Sequence, residues 1–152
     1  MPATEIHASV TGRIELLEAR AQIEDLVYRY ARCVRTGNAE DCVNLFTEEA
    51  TFEVREVNPG DPNSMRTRST LQGRDAIVSY LNHGGAAGGS VCPLISNLLI
   101  QVAGREATSN CVMTALVWAS GRSITGEYLD TYRYGNDWRF TSRIYTIFRA
   151  RS

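Results

Sequence analysis

The segment Ile23–Ala50 reads IEDLVYRYARCVRTGNAEDCVNLFTEEA and contains the signals that decide the fold. Apolar residues recur every three or four positions in its first half, which predicts one buried face of an α-helix. Gly37 then favours the left-handed conformation that ends a helix. Asn38 is a good N-cap for a short second helix, which we expect to end near Phe46. An acidic turn leads from there into a strand predicted over Ala50–Val57.

The pattern on either side of this segment predicts an α+β domain over residues 9–152. The first helix extends back to about Ser9, and residues 1–8 are expected to form a flexible tail. A loop at 58–63, a returning strand and a third helix over Gly73–Leu81 follow. The Gly-rich run at 83–90 predicts a flexible connector or a pocket lid. The remaining strands are predicted over 98–102, 107–119, 123–134 and 138–149, which suggests helices packed on one face of a curved antiparallel sheet.

Composition excludes several classes of function. The chain has 152 residues and a formal net charge of −1, which argues against partners that need a basic surface, such as nucleic acid or an anionic membrane. No apolar run is long enough to cross a membrane. The opening MPATEIHASV has no features of a signal peptide, so we expect a cytoplasmic location.

The cysteines and histidines do not suggest a metal site. Cys33, Cys42, Cys92 and Cys111 are widely spaced, and the chain has two histidines. We therefore expect no zinc site and no cofactor, with the thiols acting as small buried hydrophobic groups. Cys33 and Cys42 flank the turn between the first two helices, and the sequence leaves open whether they approach each other.

Four phrases in order resemble the SnoaL-like branch of the NTF2-like superfamily. They are LFTEEATFEV at 45–54, GRDAIVSYL at 73–81, ISNLLIQVAGREATSNCVMTALVW at 95–118 and GEYLDTYRYGNDWRFTSR at 126–143. The resemblance implies a cone in which a curved sheet wraps around a long N-terminal helix, with two shorter helices, and encloses an apolar pocket. Relatives include scytalone dehydratase-like and ketosteroid isomerase-like enzymes, polyketide cyclases, dioxygenase β subunits and binding proteins, so fold alone does not select a function.

The same resemblance shows where this chain departs from the enzymes. Their first helix carries a Tyr, four further residues and then an Asp; Tyr30 matches the Tyr, and Arg35 occupies the Asp position. Their catalytic His often lies four residues before the Asn of a Ser-Asn pair. Asn97 is that Asn here, which places Pro93 at the His position. Arg35 cannot act as a base. It binds an anionic substrate, stabilises an enolate, or closes the C-terminus of the helix, where positive charge is favourable.

Other groups are candidates for the missing acid and base. Asp130 lies among tyrosines, where a raised pKa would make it a base, or it forms a structural pair with Arg143 or Arg133. His83 follows the third helix beside the Gly-rich run and is placed either at the pocket mouth or at the surface.

Two functions follow from these candidates. The first is a cofactor-independent lyase, isomerase or cyclase acting on a small hydrophobic cyclic substrate, polyketide-, steroid- or terpenoid-like, with Tyr30, Asp130 and His83 as catalytic residues. The alternative is a non-catalytic binding protein or accessory subunit. A homodimer or homo-oligomer, with dimerisation through the outer face of the sheet, is expected with either function. The residues predicted to bind the substrate, or else to be plain core, are Arg35, Phe46, Phe52, Asn97, Met113, Trp118, Tyr128 and Tyr145.

Overall fold

The computed structural model describes residues 9–83 and 91–148 and confirms the α+β class. The predicted tail at 1–8 lies outside the described residues, as does the predicted connector after residue 83. The elements in chain order are α1 (Val10–Thr36), α2 (Ala39–Val43), β1 (Phe46–Asn58), β2 (Asp61–Gln72), α3 (Arg74–His83), β3 (Val91–Ala103), β4 (Glu106–Val117), β5 (Arg122–Tyr134) and β6 (Trp138–Phe148).

Helix α1 has the caps and the buried stripe that its sequence indicates. The Ser9 side chain accepts a hydrogen bond from the Gly12 amide at 3.0 Å, which satisfies one free N–H of the first turn. Gly37 ends the helix with φ 71° in the left-handed region. One face packs into the cone and comprises Ala19, Ile23, Leu26, Val27, Tyr30, Ala31 and Val34.

The second helix is shorter than predicted. It ends at Val43, and Phe46 is the first residue of β1, not the end of a helix. The cause is a long-range contact, because the Leu45 carbonyl accepts the Phe140 amide at 2.9 Å and Phe46 pairs with Phe140 on β6. Pairing with the last strand therefore starts β1 before the strand pattern is visible in the sequence.

The six strands form one curved, unclosed sheet in the order β2-β1-β6-β5-β4-β3. Four neighbouring pairs are antiparallel, but β1 and β6 are parallel. The sheet is therefore mixed, which corrects the prediction of an antiparallel sheet. Helix α1 crosses the concave face and packs mainly against β3 and β6, and the core lies between them.

Two bulges in the edge strands redirect side chains. In β2, Val54 pairs with Ser69 and Arg55 pairs with Thr67, so Arg68 is an extra residue without a partner on β1. In β3, the register with β4 shifts between Ser96 and Leu99, and the bulge contains Asn97 at φ 51°. Such bulges turn side chains away from strict alternation.

Candidate functional site

A cavity of about 350 Å³ lies inside the cone, between α1, α3 and the concave face of the sheet. This volume falls in the range of sites that hold small organic molecules. Every element except α2 contributes two residues to its wall. The wall comprises Tyr30, Val34, Phe52, Val54, Arg68, Ser69, Tyr80, Leu81, Val91, Pro93, Met113, Ala115, Ile124, Tyr128, Tyr145 and Ile147.

The polar groups of this wall are mainly tyrosine hydroxyls. Those of Tyr30, Tyr80, Tyr128 and Tyr145 form no hydrogen bond with any described residue. Burial raises the pKa of all four, so they are neutral donors at physiological pH. Within the described chain the wall has no carboxylate and no imidazole, and Arg68 provides its one charge.

Asp130 faces the interior of the cone but does not line the cavity. Its two carboxylate oxygens accept hydrogen bonds from Arg143 Nε at 2.7 Å and Nη2 at 2.9 Å, and both side chains are fully buried. The Tyr132 hydroxyl also donates to Asp130 Oδ2 at 3.4 Å. Asp130 was predicted either to act as a base or to form a structural ion pair, and this geometry shows the ion pair with Arg143.

The Arg143 guanidinium also lies against aromatic rings. Its Cζ is 3.8 Å from the ring centre of Tyr128, 4.3 Å from that of Tyr30 and 4.6 Å from that of Phe140. Two of these rings belong to the cavity wall, so a buried cation lies directly behind it. Burial remains the largest cause of the raised pKa of both tyrosines, and the positive charge of Arg143 opposes it.

Five of the predicted site residues line the cavity, namely Tyr30, Phe52, Met113, Tyr128 and Tyr145. Phe46 lies deeper, in an aromatic cluster where its ring centre is 4.9 Å from that of Phe140 and 5.9 Å from that of Tyr30. It therefore supports the wall without forming part of it.

Three further predicted binding residues lie outside the cavity, in addition to Phe46. Arg35 is exposed, and its guanidinium stacks 5.5 Å from the centre of the Trp118 ring, which is itself exposed. Asn97 is exposed in the β3 bulge. The helical position that enters the cavity is Val34, and Arg35 lies about 100° further around α1.

Pro93 occupies the cavity wall, where the resemblance places the catalytic His of related enzymes. The position therefore contributes an apolar ring to the site and no titratable group. His83 is the last residue of α3, and its side chain lies outside the described part of the structure.

Sequence reasoning missed Arg68, Ser69 and Tyr80. Tyr80 lies three positions after the buried Ile77, so helical spacing offered a signal. Arg68 and Ser69 both reach the cavity because of the bulge in β2, which strict alternation does not reveal.

Other kinds of site find no support in residues 9–83 and 91–148. These residues place no group of three or more His, Cys, Asp or Glu side chains where a metal ion would bind. Their helices include none that is long and apolar enough to cross a membrane.

Known structures with the same cone are numerous. An NTF2-like protein with a cystatin-like fold from Novosphingobium aromaticivorans is 24% identical, with 92% of this chain and 90% of that chain covered and a TM-score of 0.71. Rv3472 from Mycobacterium tuberculosis, of unknown function, is 23% identical over 93% of this chain and 79% of that chain, with a TM-score of 0.72. A provisionally assigned scytalone dehydratase from N. aromaticivorans is 23% identical over 91% and 92%, with a TM-score of 0.65.

These likenesses define an NTF2-like protein at the level of the fold. The family model described as SnoaL-like domain matches residues 15–144, and the chain belongs to that family. No functionally curated protein matches the chain.

Proposed function

We propose that this chain binds a small hydrophobic cyclic molecule, polyketide-, steroid- or terpenoid-like, that carries a hydrogen-bond acceptor such as a carbonyl oxygen. The observation that carries the proposal is the set of tyrosine hydroxyls without partners in a largely apolar cavity. Tyr30, Tyr80, Tyr128 and Tyr145 supply four neutral donors, and a buried donor is stable when it gains an acceptor.

The residues of the cavity wall favour binding without turnover over catalysis. Proton abstraction next to a carbonyl needs a base at the substrate, and the described wall offers neither a carboxylate nor an imidazole. Asp130 is held by two nitrogens, Nε and Nη2, of a fully buried Arg143, and Pro93 occupies the position where the resemblance places the histidine of related enzymes. This combination favours a binding protein or an accessory subunit.

A second candidate is a cofactor-independent lyase, isomerase or cyclase. One observation favours it, because the Arg143 guanidinium lies behind Tyr30 and Tyr128 and strengthens both hydroxyls as donors to a developing enolate. In this reading His83 carries the proton, as the sequence predicts. The provisionally assigned scytalone dehydratase of the same fold is consistent with it.

A calorimetric titration with 2-naphthamide, a neutral bicyclic carbonyl compound, tests the proposed function. We expect one molecule to bind per chain, with weaker binding in Tyr128→Phe and Tyr145→Phe. Ala115→Leu should fill the cavity and abolish binding, whereas Ala119→Leu on the exposed turn after β4 is its matched control. Equal binding by wild type and Ala115→Leu would exclude the cavity as the site.

Extraction of small molecules from freshly purified protein, followed by mass spectrometry, separates the two candidates. If one hydrophobic compound is recovered and the protein does not convert it, the result supports binding without turnover. Conversion of that compound by wild type, but not by His83→Ala, supports the lyase or isomerase reading.

We also propose a homodimer formed through the convex face of the sheet. Leu94, Leu99, Leu116 and Leu129 are exposed on β3, β4 and β5, and a second depression of about 320 Å³ lies on this face. Leu99 and Leu129 flank Asn110 in the strand register, and an exposed apolar patch of this kind is typical of an interface. Light scattering should therefore give the mass of two chains for wild type and of one chain for the Leu99→Glu, Leu129→Glu double variant.

A further inference from the structure

Several hydrophilic groups of the cavity wall lie on or beside the β1–β2 end of the sheet. Across the sheet, Ser69 pairs with Val54, Val54 pairs with Tyr145, and Tyr145 pairs with Tyr128. These four residues form one row of register partners that runs from the edge strand β2 to β5. Tyr80 of α3 covers this end, with its ring 5.6 Å from that of Phe52.

Arg68 faces the same end. It is the extra residue of the β2 bulge, and it lines the cavity together with its neighbour Ser69. Its positive charge acts on Tyr80 and Tyr145, where it opposes the effect of burial on the pKa of each hydroxyl. The cation and the two hydroxyl donors all line the same cavity.

The charges around Arg68 leave it able to receive an anion. Glu56 is buried beside it, but Glu56 Oε2 lies 3.1 Å from Arg66 Nη2 and 3.8 Å from Arg68 Nε. Arg66 Nη2 donates a hydrogen bond to Glu56 Oε2, whereas Arg68 forms an ion pair with the same oxygen but no hydrogen bond with the described residues. Among the described residues, two guanidinium groups therefore lie beside this one carboxylate.

We propose that Arg68 binds a carboxylate and that the ligand of the cone is a hydrophobic cyclic carboxylic acid. The guanidinium receives the carboxylate, the hydroxyls of Ser69, Tyr80 and Tyr145 donate to its remaining lone pairs, and the ring system occupies the apolar part of the cavity. This inference deepens the proposed function and rests on it.

Two probes that differ in charge test this inference. 2-Naphthoate and 2-naphthamide have nearly the same shape, and each is titrated calorimetrically against wild type, Arg68→Gln and Arg66→Gln. Arg66 is the matched control, because it also lies on β2 and pairs with Glu56 but does not line the cavity. We expect wild type to prefer the carboxylate by about tenfold or more, as charge-assisted hydrogen bonds are stronger than neutral ones.

The variants distinguish the outcomes. Arg68→Gln should bind both probes equally, Arg68→Lys should keep part of the preference, and Arg66→Gln should keep most of it. Equal binding of the two probes by wild type, or a preference that survives in Arg68→Gln, would overturn the carboxylate assignment while leaving the cone as a binding site. If neither probe bound wild type, the proposed function itself would fail, and this inference with it.

Discussion

Asp130 and Arg143 are direct register partners on β5 and β6, and their doubly hydrogen-bonded side chains are removed from solvent. Such a pair supports the structure only as a unit, because each charge alone is strongly disfavoured in the interior. The pair also keeps the positive charge of Arg143 against the rings of Tyr30 and Tyr128.

Replacing Asp130 by Asn should destabilise the fold, since it leaves a buried guanidinium without a counter-charge. We expect a loss of about 3–5 kcal/mol in the free energy of unfolding, measured by urea denaturation. The double variant Asp130→Asn, Arg143→Met removes the unpaired charge and should recover part of the loss. A single variant as stable as wild type would contradict the structural role of the pair.

Gly126 allows β5 and β6 to approach each other closely. A Cβ at this position would lie 2.5 Å from the Thr146 carbonyl oxygen and 2.8 Å from the Tyr145 ring. Gly126→Ala should therefore displace the strand and cost about 1–3 kcal/mol in the free energy of unfolding.

Gly135 is the matched control for this substitution, because a Cβ there meets no atom within 4 Å. Gly135→Ala should change the stability by less than about 0.5 kcal/mol. Because Tyr145 lines the cavity, Gly126→Ala should also weaken 2-naphthamide binding, which Gly135→Ala should leave unchanged. Equal stability of the two variants would show that the strands adjust freely.

High pH should destabilise the protein through its buried tyrosines. Burial raises the pKa of Tyr30, Tyr128 and Tyr145 above the ordinary value of about 10. The unfolded chain releases these protons first, so their contribution is complete below about pH 10 and falls as pH rises above it. Urea denaturation between about pH 8 and about pH 11 measures this decline.

Tyr128→Phe removes one of these groups and should flatten the pH dependence. Tyrosinate absorbance gives an independent reading, because ionisation of the buried groups should accompany unfolding. Ionisation of all seven tyrosines near their ordinary pKa in a chain that is still folded would contradict the burial described here.

Arg35→Gln should leave binding of 2-naphthamide and 2-naphthoate unchanged. The residue is exposed and stacks on Trp118, away from the cavity. We expect a loss of at most about 1 kcal/mol in the free energy of unfolding, the value of an exposed cation–π contact. Val34→Gln, one position earlier and on the cavity wall, is the contrasting variant and should weaken binding. Weaker binding by Arg35→Gln would show that Arg35 contributes to the binding site after all.

Local patterns were sufficient to predict α1, its end at Gly37 and the inward positions Tyr30 and Tyr128. These features depend on helical spacing, capping and strand alternation, which are determined by residues close together in the sequence. The SnoaL-like resemblance was confirmed over residues 15–144.

Contacts between distant segments could not be predicted in the same way. The early start of β1 at Phe46 depends on β6, and the access of Arg68 to the cavity depends on one extra residue in β2. The residues next to Phe46 and Arg68 in the sequence do not indicate the pairing with β6 or the bulge in β2. The prediction that Arg35 binds the substrate was also limited by local information. Val34 lines the cavity, whereas Arg35, one residue later in the helix, is exposed.

The parallel pairing of β1 with β6 has a consequence for synthesis in the cell. Phe46 and Phe140 can meet only after β6 has been synthesised, so the centre of the sheet cannot assemble before that point. Until then β1 lacks its neighbour on one side, and α1 lacks the part of its packing that β6 provides. Ribosome-bound chains stalled before β6 should therefore be open to proteases and to chaperones that recognise apolar segments, and a short deletion at the start of β6 should prevent folding altogether.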